Sequence, residues 1–159
     1  MENYLSWHRH SIRLKNFDYS NNGYYYITIC INNRLNLLGS IENGIVKLSS
    51  FGEVVQQEWT SLKSRYKNIN LDEFIVMPNH LHGIIIIKYK SNNSIGDMIS
   101  LFKARTSRRY NKVNNTTGNK LWQKNYHERI IRNEIDFMNK QHYIINNPVM
   151  WTRDELYLV

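Results

Sequence analysis

The stretch FIVMPNHLHGIIII, residues 74–87, sets two histidines one residue apart inside a run of bulky aliphatic residues. Side chains alternate along a strand, so His80 and His82 project from one side, about two rises of roughly 3.3 Å apart. Two imidazoles on one face can share a metal ion. Imidazole suits transition metals and tolerates a borderline ion such as Mn²⁺, leaving other positions for carboxylate, water or phosphate oxygen. The competing reading is a pair of ordinary hydrogen-bonded histidines, because polar groups at Asn79, His80 and His82 beside a buried strand need partners in either case.

A second candidate is WQKNYHERII, residues 122–131. With Asn125 as an N-cap, Tyr126 would stand in the first turn of a helix, where the positive end of the dipole and free N–H groups attract phosphate. A tyrosine there could attack that phosphate, although a phenol with an ordinary pKa of about 10 must first be activated. The plainer reading is an aromatic ring packing at a helix start. Glu128 is either the capping-box partner of Asn125 or a metal ligand. Trp122, between Lys120 and Lys124, either stacks on an unpaired base or pins the last helix to the core. Just upstream, Arg105, Arg108, Arg109 and Lys112 fall at i, i+3, i+4 and i+7, one cationic stripe on a helix. Such a stripe suits phosphate contact when it is not simply a solvated face.

These residues need a scaffold, and the local patterns describe one. YYYITICI (24–31) reads as a strand, and Asn43-Gly44 between two short apolar runs reads as a hairpin turn. Ser50 with Glu53 suggests a cap for a helix over 51–67, along which Val55, Trp59, Leu62 and Tyr66 recur at helical steps. Strands are expected near 71–77 and 81–88, divided at Pro78 and Asn79. Ser94 and Asp97 open another helix that buries Ile95, Met98, Ile99 and Phe102. NNTTGN (114–119) is a polar connector. A last helix is expected from Asn125, with Ile131, Ile135, Met138, His142 and Ile145 on its buried side, until Asn146-Asn147-Pro148 stops it. Strands pairing as hairpins, interleaved with helices, imply an α+β fold in which helices cover an antiparallel sheet.

Length and charge narrow the class. The chain of 159 residues suits a single domain over 1–159, with a basic arm over 1–20 carrying Arg9, Arg13 and Lys15. No apolar run approaches the roughly 18 residues that span a bilayer. Met1 to Lys15 lacks the apolar core of a signal peptide, so a cytoplasmic location is expected. Cys30 is the sole cysteine, which excludes an internal disulfide and a thiolate cluster. Lys and Arg (21) exceed Asp and Glu (13), a net charge of +8. The expected partner is therefore a polyanion, nucleic acid ahead of a membrane surface.

Four stretches in order, SIRLKNFDYSNNGYYYITICINNR, FIVMPNHLHGIIII, LWQKNYHERIIRNE and YIINNPVMW, resemble the REP-associated tyrosine transposases, a branch of the Y1 HUH single-strand transposases. The resemblance implies a ferredoxin-like or RNA-recognition-motif-like sheet with the histidine pair on a central strand. It also implies cutting and rejoining of single-stranded DNA beside short palindromic hairpins, by a monomer or homodimer. A divalent ion, Mg²⁺ or Mn²⁺, held by His80 and His82 would polarise the scissile phosphate. Tyr126 matches the nucleophile of the family's WQ-x-x-Y segment and would form a 5′-phosphotyrosine. Many relatives carry a histidine three residues later, where this chain has Arg129. The third ligand then falls to Glu128 or His127, and Arg129 would hold phosphate. The alternatives are a domesticated, catalytically inactive hairpin-binding regulator, an RNA-binding domain, and a metallohydrolase that uses water.

Overall fold

The computed structural model describes residues 17–157; Arg9, Arg13 and Lys15 of the basic arm lie outside them. Strand β1 (Gly23–Cys30) is followed by a two-stranded ribbon, β2 (Gly39–Glu42) and β3 (Ile45–Leu48). Helices α1 (Ser50–Thr60) and α2 (Leu62–Arg65) lead to β4 (Ile69–Val76) and β5 (His80–Ile87). Helix α3 (Ile95–Asn114), β6 (His127–Ile131) and α4 (Glu134–Asn146) complete the order. The main sheet is antiparallel, β4-β5-β1-β6. Its units β1-α1-β4 and β5-α3-β6 are split βαβ motifs, each leaving room for a strand of the other, which is the ferredoxin-like arrangement expected.

Several local signals act as read. Asn43 and Gly44 both take positive φ, 52° and 76°, at the β2–β3 turn, a backbone that glycine and asparagine adopt most easily. Ser94 and Asp97 form a reciprocal capping box on α3. The first helix is capped one residue earlier than expected, by Ser49, whose hydroxyl accepts from the Gly52 N–H at 3.0 Å. It is also interrupted at Ser61 rather than running on to 67.

The last helix departs further. Residues 127–131 are a strand, and α4 starts only after Asn133, whose side chain accepts from the Asp136 N–H at 2.8 Å. The open edge of β1 is the reason: its backbone groups need partners, and His127–Ile131 supply them opposite Thr28–Tyr24. The expected buried stripe on α4 is thereby displaced. Ile135, Met138 and Ile145 are exposed, while Ile144 is buried and Phe137 packs beside it.

The two faces of the sheet carry different cores. Tyr25, Ile27, Ile29, Leu81 and Ile85 face α1 and α3, packing with Trp59, Met98 and Phe102. Ile84, Ile131 and Ile144 pack on the other face, which α4 covers. Gly83 sits between His82 and Ile84 because the fully buried Trp59 ring lies against its α-carbon. Gly83→Ala would drive a methyl into that ring and is expected to cost about 1–3 kcal/mol, read as a lower midpoint in urea unfolding.

Candidate metal centre

Alternation along β5 sends Leu81, Gly83 and Ile85 into the α1/α3 core and His80 and His82 to the α4 face. Both imidazoles are nearly fully buried, at 0% and 3% exposure. Burial pushes His80 down to about 4 against the opposing pull of the Asp154 charge and the Asn147 amide. Burial likewise holds His82 well below its ordinary value, helped by His80 and Lys140. Both rings are therefore neutral near pH 7, as metal ligation requires.

Hydrogen bonding decides which nitrogen is free. Asn79 Nδ2 donates to the backbone carbonyls of Leu156 (2.8 Å) and Arg34 (3.2 Å). Carbonyl oxygens only accept, so the amide orientation is set and Asn79 Oδ1 must face His80 Nδ1, 2.8 Å away. That nitrogen carries the proton, and the lone pair of His80 resides on Nε2. His82 Nδ1 lies 2.8 Å from both Tyr26 Oη and Thr28 Oγ1. Among the described residues neither Nε2 meets a hydrogen-bond partner, although both are buried. A buried acceptor left open costs stability, and a cation relieves that cost.

Asp154, which follows a short turn of 3₁₀ helix (Trp151–Arg153), closes the group. Ligand-capable atoms of His80, His82 and Asp154 lie within 4.8 Å of one another. Asn147 Nδ2 donates to Asp154 Oδ2 at 2.6 Å, and its own Oδ1 is buried without a partner among the described residues. Two imidazole nitrogens and a carboxylate form a donor set that fits Mn²⁺ and, less closely, Mg²⁺. Tyr143, one helical turn before Asn147, donates its hydroxyl to Asp154 Oδ2 at 3.1 Å. Its ring centroid is 5.3 Å from that of His82. Burial and the Asp154 charge push this phenol up to about 12, so it is protonated at neutral pH and its proton points at the carboxylate.

Tyr126 is elsewhere. Like Glu128, it belongs to the α1/α3 face: Tyr126 packs against that core and donates to Glu128 Oε2 at 2.8 Å, with Glu128 opposite Ile27. The sheet separates this pair from the histidines, and no helix begins at Asn125. Neither Glu128 nor His127 joins the histidine group. His127 is on the α4 face but exposed, opposite Thr28. Arg129 also lies on that face, paired with Asp136 at 3.5 Å.

Half of the cationic stripe is engaged within the protein. Arg105 and Arg109, with Arg65, converge on the buried Glu58 carboxylate at 2.8, 3.2 and 3.0 Å. This cluster ties α3 to α1 on the face away from the histidines. Arg108, Lys112, Lys120 and Lys124 are exposed. Trp122 is buried in the α1/α3 core, its Nε1 donating to Thr106 Oγ1 at 2.9 Å and its ring packed with Phe51 and Phe102, on the opposite face of the sheet from the last helix. Asp154, Asn147 and Tyr143 received no role from sequence; the one available signal was that Tyr143 and Asn147 are four apart at a helix end, hence on one face.

With the geometry in place, comparison with known proteins is decisive. The family described as "Transposase IS200 like" matches residues 20–147. The chain belongs to that family. A Haemophilus influenzae protein of uncharacterised function is 38% identical over 95% of this chain and 94% of its own length. The structure of a REP-associated tyrosine transposase bound to a REP hairpin superposes with a TM-score of 0.61 at 18% identity, covering 87% of this chain and 73% of that one. A candidate transposase from Deinococcus radiodurans R1 gives 0.52 at 17% identity, covering 84% of this chain and 95% of that one. Both structures share the fold of this IS200-like transposase. Among the described residues no helix is long and apolar enough to cross a membrane.

Two outcomes follow from the hydrogen bonds. Asn79→Ala removes the group that holds the proton on His80 Nδ1 and is expected to weaken Mn²⁺ binding roughly 10- to 100-fold, read by calorimetric titration. For Glu58, burial raises the carboxyl pKa but the Arg105, Arg109 and Arg65 guanidiniums outweigh it, so the net shift is downward. A depressed folded pKa contributes stability above the unfolded value, about 4.3, and that contribution disappears as pH falls through the folded value. Glu58→Gln should therefore cost about 1–3 kcal/mol at pH 7, the solvent around the half-exposed arginines limiting the loss. The difference from wild type should shrink in acid, as read from unfolding midpoints at pH 7 and pH 3.

Proposed function

We propose that this chain cuts and rejoins single-stranded DNA beside hairpin elements, with Tyr143 as the nucleophile and a divalent ion, Mg²⁺ or Mn²⁺, held by His80, His82 and Asp154. The observation that carries the reading is the Tyr143 hydroxyl resting on the carboxylate that closes the histidine group. Of the two tyrosines at the site, Tyr26 is engaged with His82 Nδ1 and orients that ring. Tyr143 is the more exposed, at 44%, and can be reached by a phosphodiester. The net charge of +8 and the hairpin carried by the similar REP-associated transposase support DNA as substrate.

The chain's own groups divide the work. Tyr143 Oη forms the bond to phosphorus, its proton passes to Asp154 Oδ2, and the 3′ oxygen leaves with the bonding electrons and takes up a proton from solvent. The products are a 5′-phosphotyrosine and a free 3′ hydroxyl, and attack by a 3′ hydroxyl reverses the step. When bound, the ion polarises a phosphate oxygen and offsets charge in the transition state. Asn79, Tyr26 and Thr28 hold the imidazoles, and Asn147 holds the carboxylate.

Labelled hairpin oligonucleotides with single-stranded flanks, incubated with Mn²⁺ and run on denaturing gels, test this. A covalent adduct is expected that chelator, Tyr143→Phe and His80→Ala abolish and that Tyr126→Phe retains. An adduct that survives Tyr143→Phe but not Tyr126→Phe would return the nucleophile to the other face of the sheet. Tight hairpin binding without any adduct would identify a catalytically inactive regulator.

A further inference from the structure

A cleft of about 580 Å³ lies between the β2–β3 ribbon and the C-terminal segment, immediately beside the histidine group. That volume falls within the range of ligand sites, roughly 300–1,000 Å³. Pro78 and Trp151 line it. Trp151 also faces the catalytic group: its ring lies 5.9 Å from that of His80, while Tyr157 meets Trp151 edge-on at 5.2 Å. The cleft therefore shares Trp151 with the histidine group, and its lining residue Pro78 stands two positions before His80. Around it, the side chains of Asn36, Ser40 and Thr152 are exposed and make no hydrogen bond to the described residues. An aromatic and proline surface ringed by uncommitted amide and hydroxyl groups is the chemistry that takes a heterocyclic base: stacking for the ring and hydrogen bonding for its edge.

We propose that this cleft binds one unpaired nucleobase of the DNA strand next to the scissile phosphate, and so selects where the strand is cut. The inference rests on the reading of the chain as a single-strand DNA nuclease. The base lies against Tyr157 and Pro78, and Asn36, Ser40 and Thr152 address its edge. The hairpin then sets the region of attack, while the captured base sets the phosphate presented to Tyr143.

The test is an abasic scan. Single-stranded substrates, each lacking one base within five positions of the cut, are assayed for Mn²⁺-dependent cleavage by wild type, Asn36→Ala, Thr152→Ala and Tyr157→Ala. Binding of the same strands is read in parallel by fluorescence anisotropy. At one position, base removal is expected to raise KM about tenfold or more for wild type. That penalty should shrink in Asn36→Ala, Thr152→Ala and Tyr157→Ala alike, each variant being already impaired on the intact strand. The two polar variants keep the result readable if loss of Tyr157 disturbs Trp151. A position-specific penalty of equal size in wild type and all three variants overturns the cleft assignment while leaving the nuclease intact. A wild type that binds the strands without cutting them refutes the nuclease reading, and anisotropy then judges the cleft by the same pattern of penalties.

Discussion

Strand β5 is covered on both faces, and the strict alternation of its side chains splits one sequence between two tasks. Leu81, Ile85 and Ile87 hold the α1/α3 core, and Gly83 is small because Trp59 lies against it. His80 and His82 point the other way into a space closed by α4 and the C-terminal segment. A shift of one residue would bury the histidines under Trp59 and turn the aliphatics into the α4-side space, so the large apolar face fixes the register of the polar one. Desolvation of the imidazoles, which would be a defect in a simple core, keeps them neutral and available as ligands.

The polar side of this arrangement is held by groups far apart in sequence. Asn79 binds the carbonyls of Arg34 and Leu156 with one end of its amide and His80 with the other. A single side chain thus links the turn after β1, the histidine-bearing strand and the chain's last described turn. Asp154 occupies its place because Asn147 and Tyr143 both donate to it. The C-terminal segment is therefore a wall of the site, and the same segment, through Trp151 and Tyr157, forms one side of the adjoining cleft.

Charge is distributed by a similar logic. Arg65, Arg105 and Arg109 are drawn inward to Glu58 and spend their charge on joining α1 to α3, so a cationic stripe that looks suited to phosphate is in good part structural. Arg129 and the half-buried Lys140, whose Nζ is 4.8 Å from the centre of the Tyr26 ring, lie instead on the α4 face with the histidines. The positive groups on the face of the histidines are therefore not the ones most conspicuous in the sequence.

Local pattern alone determined the α+β class, β1, β4, β5, the Asn43-Gly44 hairpin, the Ser94 capping box and the histidine pair, because each depends on residues close along the chain. It could not determine the course of 125–133. The period of Ile131, Ile135, Met138 and Ile145 is helical, but the unpaired edge of β1 claims His127–Ile131 as a strand, and only the assembled sheet contains that edge. This one competition places Tyr126 and Glu128 behind the sheet. Asp154 was illegible for the same reason: a carboxylate 72 positions beyond His82 becomes its neighbour only through long-range packing. Sequence determined the donors of one strand; tertiary structure decided which tyrosine and which carboxylate join them, because those contacts depend on the path of the chain across the sheet and not on local spacing.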